Sequence, residues 1–290
     1  MNVLTSQFSL SMRNDVTIVV RHTDERTLDY CLQHLKKQVP ENSLFCICET
    51  PFSRAVKKTF EIGIDCNKKW TLAIDADILV TKDCIEVLIS VAESLEDYFF
   101  EIQGRILDKL YGVPRGGGPH LYRTEHLKKA IKFIPKEGTS LRPESDTYDK
   151  MAENGYHFYF GKEIYGLHDY EQFYKDLYRK GFLHAKKHWR YLAHFEKYWN
   201  SNKHKDNDFL VALFGFQQAQ KFKETVFVDR NFFPAELSDY LEEYGLVEKG
   251  ELLRKDTSFV QTEIESYLLN SELKGFESQY FNYIKRSDMK

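Results

Sequence analysis

Short apolar runs alternate with stretches of helical periodicity along the first ninety residues. Residues 16–20 (VTIVV), 44–48 (LFCIC) and 70–74 (WTLAI) read as buried strands, because they are short, β-branched or apolar, and bounded by polar residues. Between them, Leu28, Cys31, Leu32 and Leu35 recur at helical spacing, as do Val56, Phe60 and Ile64. Ile85, Leu88, Ile89 and Ala92 mark a further helix. Such alternation predicts an α/β fold whose mostly parallel sheet is covered by helices on both faces.

The pattern changes further on. Residues 99–107 (FFEIQGRIL) read as a long strand, residues 115–119 (RGGGP) as a loop, and 127–133 as helical. A helix is predicted over 144–154, with Pro143 just before it, followed by a strand at 156–160. Phe173, Tyr174, Leu177 and Tyr178 form an apolar stripe on a helix running towards Lys187. Beyond Ser201 the pattern is mostly helical: Leu237, Tyr240, Leu241 and Tyr244 fit one helix, Ile264, Tyr267 and Leu268 another, and Phe276, Tyr280, Tyr283 and Ile284 a third. Residues 200–208 (NSNKHKDND) are the best linker candidate. The expected division is a catalytic unit over residues 1–200 and a C-terminal helical extension over 201–290. That extension is expected to cover the catalytic unit, to form a homodimer contact, or to touch a membrane.

Composition narrows the function classes. A net charge of -3 argues against a dedicated nucleic-acid binder, which needs a basic excess to neutralise phosphates. The five cysteines are odd in number and form no C-x-x-C pair, which fits reduced thiols and speaks against a disulfide framework or a zinc site. All four in apolar segments (Cys31, Cys46, Cys48 and Cys84) are expected in the core. The N-terminus lacks a signal-peptide layout, and no run approaches the ~18 apolar residues that would span a bilayer. The expectation is a cytoplasmic protein, with peripheral contact at the inner membrane face left open.

The informative stretch is WTLAIDADILV. An apolar strand delivers Asp75 at its end and Asp77 on the following turn. Ligands of open α/β sheets bind beyond the carboxyl ends of the strands. Two carboxylates there are costly without a compensating cation, and Mg²⁺ or Mn²⁺ takes oxygen ligands while leaving positions for phosphate oxygens. A phosphatase-like reading, with the first Asp as nucleophile, fits poorly. That motif wants Thr or Val where Leu79 stands, and two strands come before this one.

This order of features resembles the GT-A fold glycosyltransferases, especially those of family 2, over roughly residues 15–190. The resemblance implies a Rossmann-like, mostly parallel sheet and a hexosyltransferase-type activity in polysaccharide biosynthesis. It implies a nucleotide-diphosphate sugar donor and a glycan or lipid-linked saccharide acceptor. It places the donor nucleotide against the loop Arg21, His22, Thr23, Asp24 and Glu25, with Glu49 towards the base and Arg54 and Lys57 towards the phosphates. GGGPHLYRTEHLKKA resembles the glycine-bearing loop beside sugar and acceptor, through Gly117, Gly118 and Tyr122. RPESDTYDKM resembles the acidic motif that supplies the base of inverting members. Asp146 is the chosen base and Glu144 its rival, with helix capping as the bland alternative for both. His168 is implied as a third metal ligand beside Asp75 and Asp77, a neutral imidazole suiting Mn²⁺ better than Mg²⁺. Arg179, Lys180, Lys186 and Lys187 form a basic cluster able to clamp a diphosphate, to face anionic lipid, or merely to be solvated.

Two other functions stay in view. A nucleotidyltransferase shares this fold but carries a glycine-rich phosphate loop after the first strand, where this chain has VVRHTDERTL. A non-catalytic carbohydrate-binding or scaffold protein of the same fold would show no metal-dependent affinity for nucleotide sugars.

Overall fold

The computed structural model describes residues 12–224, 226, 237–253 and 258–270. The helix expected around Phe276, Tyr280, Tyr283 and Ile284 lies outside the described residues.

Seven strands form one mixed sheet: β1 (Val16–Arg21), β2 (Leu44–Ile47), β3 (Trp70–Asp75), β4 (Ile78–Val80), β5 (Phe99–Asp108), β6 (Val113–Arg123) and β7 (His157–His168), in the order β2-β1-β3-β6-β5-β7-β4. The first three pair in parallel, joined by α1 (Leu28–Leu35) and α2 (Phe52–Cys66), as the alternation predicted. β6 then runs antiparallel to both β3 and β5, β7 runs parallel to β5, and β4 antiparallel to β7. The expected α/β class therefore holds, with helices on both faces of a mixed sheet and further helices towards the C-terminus.

Strand pleating sorts alternate residues between the two faces. On β3, Leu72 and Ile74 join a core completed by Cys31 and Leu35 of α1, by Leu88 and Ile89 of α3 (Cys84–Glu93), and by Ile264 of α10 (Phe259–Leu269). Ala73 faces the other way, into a core with Phe60 of α2, Leu127 of α4 (Leu127–Ala130), and Tyr148 and Met151 of α5 (Pro143–Glu153). A third core joins α6 (Tyr174–Lys187), α7 (Leu192–Asn202), α8 (Asn207–Lys221) and α9 (Leu237–Glu243) to Leu110, Tyr111 and Val113 at the β5–β6 turn. Gly181 and Gly215 let α6 and α8 touch: a Cβ on either would run into backbone of the other helix. Residues 203–206 of the expected linker form the short turn between α7 and α8. No helix among the described residues is long and apolar enough to cross a membrane.

Two local expectations are corrected. The RGGGP segment is not a loop but part of β6: Arg115 and Gly116 sit in register with Ile106 and Arg105. Its glycines leave the strand irregular instead of ending it, with Gly117 and Gly118 at φ values of +148° and +118° that side-chain-bearing residues rarely adopt. Cys46 and Cys48 are exposed, because β2 is the sheet's edge and has β1 alone as a neighbour. Cys31 and Cys84 are buried as expected.

Candidate active site

The carboxyl ends of β3 and β7 and the N-terminus of α5 meet at a cavity of about 880 Å³. Its lining includes Asp75, Asp77, Gly117, Glu144, His168 and Asp169. A groove of about 970 Å³ runs elsewhere, beside α1, between Asp24, Tyr30, Lys37 and Leu252. That groove is larger but brings together no comparable chemistry, so residue type, not size, selects the cavity.

The register of the sheet builds one half of the site. Arg21 and Asp75 are neighbours across the parallel β1–β3 pair. Arg21 Nε donates to Asp75 Oδ1 at 2.7 Å and its Nη1 donates to Glu144 Oε1 at 2.8 Å. Glu144 stands in the first turn of α5, where the helix dipole favours a carboxylate. Tyr122 donates its hydroxyl to Glu144 at 2.6 Å, and His120, Tyr148, Glu101 and Gln103 extend the network beneath it. Burial alone would raise the Glu144 carboxyl, but Arg21 and His120 hold it down to about 2. Burial, with Asp77 and Glu144 close by, lifts Asp75 above the ordinary carboxylate range even beside Arg21, although a third of its side chain stays open to the cavity. Glu144 is thus a committed anion with its lone pairs engaged.

The other half follows from β4. Because Ile78 pairs with His168 across β4–β7, Asp77 arrives beside the end of β7. His168 Nε2 lies 3.6 Å from Asp77 Oδ2, while its Nδ1 lies 2.8 Å from Asp108 Oδ2 and 3.2 Å from Asp169 Oδ2. Asp108, buried at the end of β5, also accepts from Arg115 at 2.6 Å and from the amides of Leu110 and Tyr111. Arg115 and His168 outweigh its burial and hold it well below the usual carboxylate range. An Nδ1–H donated to Asp108 turns the imidazole so that its Nε2 faces Asp77, the way a carboxylate behind the ring orients a metal-binding histidine. Lys180 of α6 places its ammonium between Asp77, at 2.5 Å, and Asp169. Burial would raise the Asp77 carboxyl, but Lys180 and His168 keep it well below its ordinary value.

Asp77, His168 and Asp169 form a group able to hold a metal ion. Among the described residues, Oδ1 of Asp77 and Oδ2 of Asp169 are buried without a hydrogen-bond partner. Buried carboxylate oxygens left in that state are costly, and an oxygen-seeking divalent cation satisfies them, so the residues fit such an ion. Asp75, expected beside Asp77 as a ligand, makes its ion pair with Arg21 instead.

The remaining expected site residues scatter. Thr23 is held by Glu25 in the β1–α1 loop, its amide and hydroxyl both 2.7 Å from that carboxylate. Arg54 and Lys57 are exposed on α2 and pair with Glu137 and Glu61. Glu49 is half-buried in the loop after β2 and, like Arg21, Thr23, Arg54, Lys57 and Gly118, is absent from the cavity lining. Asp146 is exposed on α5 outside the lining, whereas Ser145 and Asp149, one helical turn apart, both face the cavity. Of the basic cluster, Arg179, Lys180 and Lys187 line the cavity, while Lys186 donates to the carbonyl of Phe222. Asp169 and Asp108 carry no motif of their own, while Arg115, Arg142 and Asp149 lie within quoted motifs that do not single them out. Only the H-D pair at 168–169 hinted at Asp169.

No family model matches the sequence, and no curated protein matches it. Among solved structures, the chain is similar to the mannosyltransferase PcManGT from Pyrobaculum calidifontis, solved with GDP-Man and Mn²⁺, at 12% identity and a TM-score of 0.43, covering 93% of this chain and 85% of that one. It is similar to a glycosyltransferase involved in glycosylation of the major capsid of PBCV-1, at 12% identity and a TM-score of 0.36, covering 54% of this chain and 93% of that one. It is also similar to a cytidylyltransferase from Leptospira borgpetersenii, at 8% identity and a TM-score of 0.36, covering 53% and 78%. At such TM-scores these likenesses carry no argument about activity.

Proposed function

We propose that this chain is a glycosyltransferase of the GT-A type, moving a sugar from a nucleotide-diphosphate donor to a hydroxyl of a glycan or lipid-linked acceptor. The observation that carries the reading is the trio Asp77, His168 and Asp169 at the strand tips, with two buried carboxylate oxygens lacking a hydrogen-bond partner among the described residues and an open cavity beside them. Residues 1–200 would supply the catalytic unit and residues 201–290 the C-terminal extension, whose α8 backs the α6 wall.

In this reading Asp77, His168 and Asp169 hold Mn²⁺ or Mg²⁺. When bound, the ion anchors the diphosphate and neutralises charge growing on the leaving group. Asp108 fixes the His168 ring, and Arg115 fixes Asp108. Arg21 braces Asp75 and Glu144 from behind the cavity wall, on the β1 side where the nucleotide would enter. Gly117, with no side chain, lets backbone approach the sugar.

Single displacement needs one carboxylate to take the acceptor proton. Glu144 is spent on Arg21 and Tyr122, and Asp146 is off the cavity. The proton acceptor proposed here is Asp149, which lines the cavity and has no hydrogen-bond or ion-pair partner among the described residues. The test of the overall reading is a thermal-shift screen of nucleotide sugars with and without Mn²⁺. A donor that binds the native state raises the melting temperature, and does so only with the ion. No shift with any nucleotide sugar would favour a non-catalytic protein of this fold. Shifts with nucleoside triphosphates alone would favour a nucleotidyltransferase.

A further inference from the structure

The cavity continues past the Asp77 trio into a cationic lobe built by α6 and the N-terminal approach to α5. Seven lysine and arginine side chains line the whole cavity against five carboxylates, although the chain as a whole is acidic. Four of the five carboxylates are spent near the strand tips, Asp77 and Asp169 on Lys180, and Asp75 and Glu144 on Arg21, and the fifth, Asp149, stands on α5. Arg115 is spent on Asp108.

Two cations of the lobe, Lys187 and Arg142, make no ion pair with a carboxylate among the described residues. Lys187 makes no hydrogen bond or ion pair among the described residues, and its charged neighbours are Arg179, Arg142, Lys180 and Arg115. Arg142 donates to His188 Nδ1 at 2.8 Å, a neutral partner. Both ring nitrogens of His184 are buried and have no hydrogen-bond partner among the described residues, and the ring lines the same cavity. A buried imidazole without a partner, beside a lysine crowded by like charges, is an expensive arrangement unless an anion completes it.

We propose that this lobe binds a phosphate group carried by the acceptor, with Lys187 and Arg142 supplying charge and His184 supplying a buried N–H donor. This rests on the glycosyltransferase reading for the word acceptor, but the phosphate site itself does not. Its chemistry suits a phosphate better than a carboxylate: donors converge from two helices, and a tetrahedral anion presents acceptor oxygens in several directions. Burial, with crowding among the cations, pulls the Lys187 ammonium down to about 7, and a bound dianion would oppose that.

The test uses the full chain with no metal and no nucleotide present. Inorganic phosphate and ethyl phosphate are titrated calorimetrically into the wild type, Lys187→Met and Lys187→Arg. Binding by the wild type, weakened about tenfold in Lys187→Met and largely kept in Lys187→Arg, is the expected result. A melting curve for each variant reports its fold, and the arginine variant preserves the test if the methionine variant is unstable. A nucleoside diphosphate with Mn²⁺ is then added as competitor. Retained phosphate binding supports a separate acceptor site, whereas full displacement assigns the lobe to the donor's own diphosphate and overturns the proposal. Absent binding, or binding equal in all three proteins, overturns it too. Sedimentation with phosphatidylcholine vesicles containing one-fifth phosphatidic acid separates the sources. Co-sedimentation lost in Lys187→Met marks a lipid-borne phosphate, and its absence alongside ethyl phosphate binding marks a soluble one. Failure here leaves nucleotide-sugar binding untouched, so the two readings fall separately.

Discussion

The ammonium of Lys180 stands 2.5 Å from the carboxylate of Asp77, so the aspartate best placed to hold a divalent ion already has a cation of its own. The same ammonium contacts Asp169. A metal entering this trio must displace Lys180, and the two cations compete for the same oxygens. Lys180→Met is therefore expected to bind Mn²⁺ about tenfold more tightly than the wild type, since it removes a like charge from the site. Calorimetric titration of Mn²⁺ checks this, and equal affinity in both proteins would show that the lysine does not compete with the ion.

On α5 the account separates three carboxylates. Asp149→Asn is expected to lower sugar transfer by about 10²-fold or more, as loss of a general base does, with little change in donor KM. Asp146→Asn, altering an exposed group off the cavity, is expected to leave turnover within about twofold. Steady-state kinetics on both variants decide between them, and the reverse pattern would return the base to Asp146.

Glu144 is expected to matter for stability. Removing its charge leaves the buried Arg21 with Asp75 alone, and Glu144→Gln is predicted to cost about 3–5 kcal/mol in urea unfolding. The pH dependence has a definite sign. The folded-state value, about 2, lies below the ordinary 4.5, so the contribution is complete above pH 4.5 and is lost as pH falls towards 2. The shift corresponds to roughly 3 kcal/mol. Unfolding measured between pH 5 and pH 2.5 should fall more steeply for the wild type than for Glu144→Gln.

Lys187 runs the other way. Its ammonium is pulled from 10.5 to about 7, so the folded state resists protonation and stability rises as pH climbs from 7 towards 10.5. Lys187→Met is expected to raise the melting temperature by about 2 °C or more at pH 6.5 and by less at pH 9.5. A methionine variant less stable at both values would contradict the crowding described for the lobe.

How much of this was legible in the sequence depends on whether a feature is local. The strands bearing Arg21 and Asp75 were legible because apolar runs end where the chain meets the cavity. The α/β class followed from the same alternation. The partnership of Asp77 with His168 was anticipated only through family resemblance, and Asp169 was missed, because both depend on β4 pairing with β7, strands far apart in sequence. The RGGGP segment misled because glycine and proline mark turns locally, while β5 holds Arg115 and Gly116 in register as part of a strand. Asp146 was favoured by motif position, yet helix geometry turns Ser145 and Asp149 to the cavity and leaves Asp146 outside its lining. The cationic lobe was visible as a basic cluster near residue 180, but only the fold separates Lys187, which lines the cavity, from Lys186, which does not.

The most direct test of the central claim is calorimetric titration of uridine and guanosine diphosphates, and of their sugar conjugates, into the wild type and Asp77→Asn. At least one should bind the wild type only when Mn²⁺ is present, and that binding should disappear in Asp77→Asn while the melting curve shows a folded protein. Equal affinity without the ion, or undiminished affinity in Asp77→Asn, would mean that this trio does not hold the diphosphate.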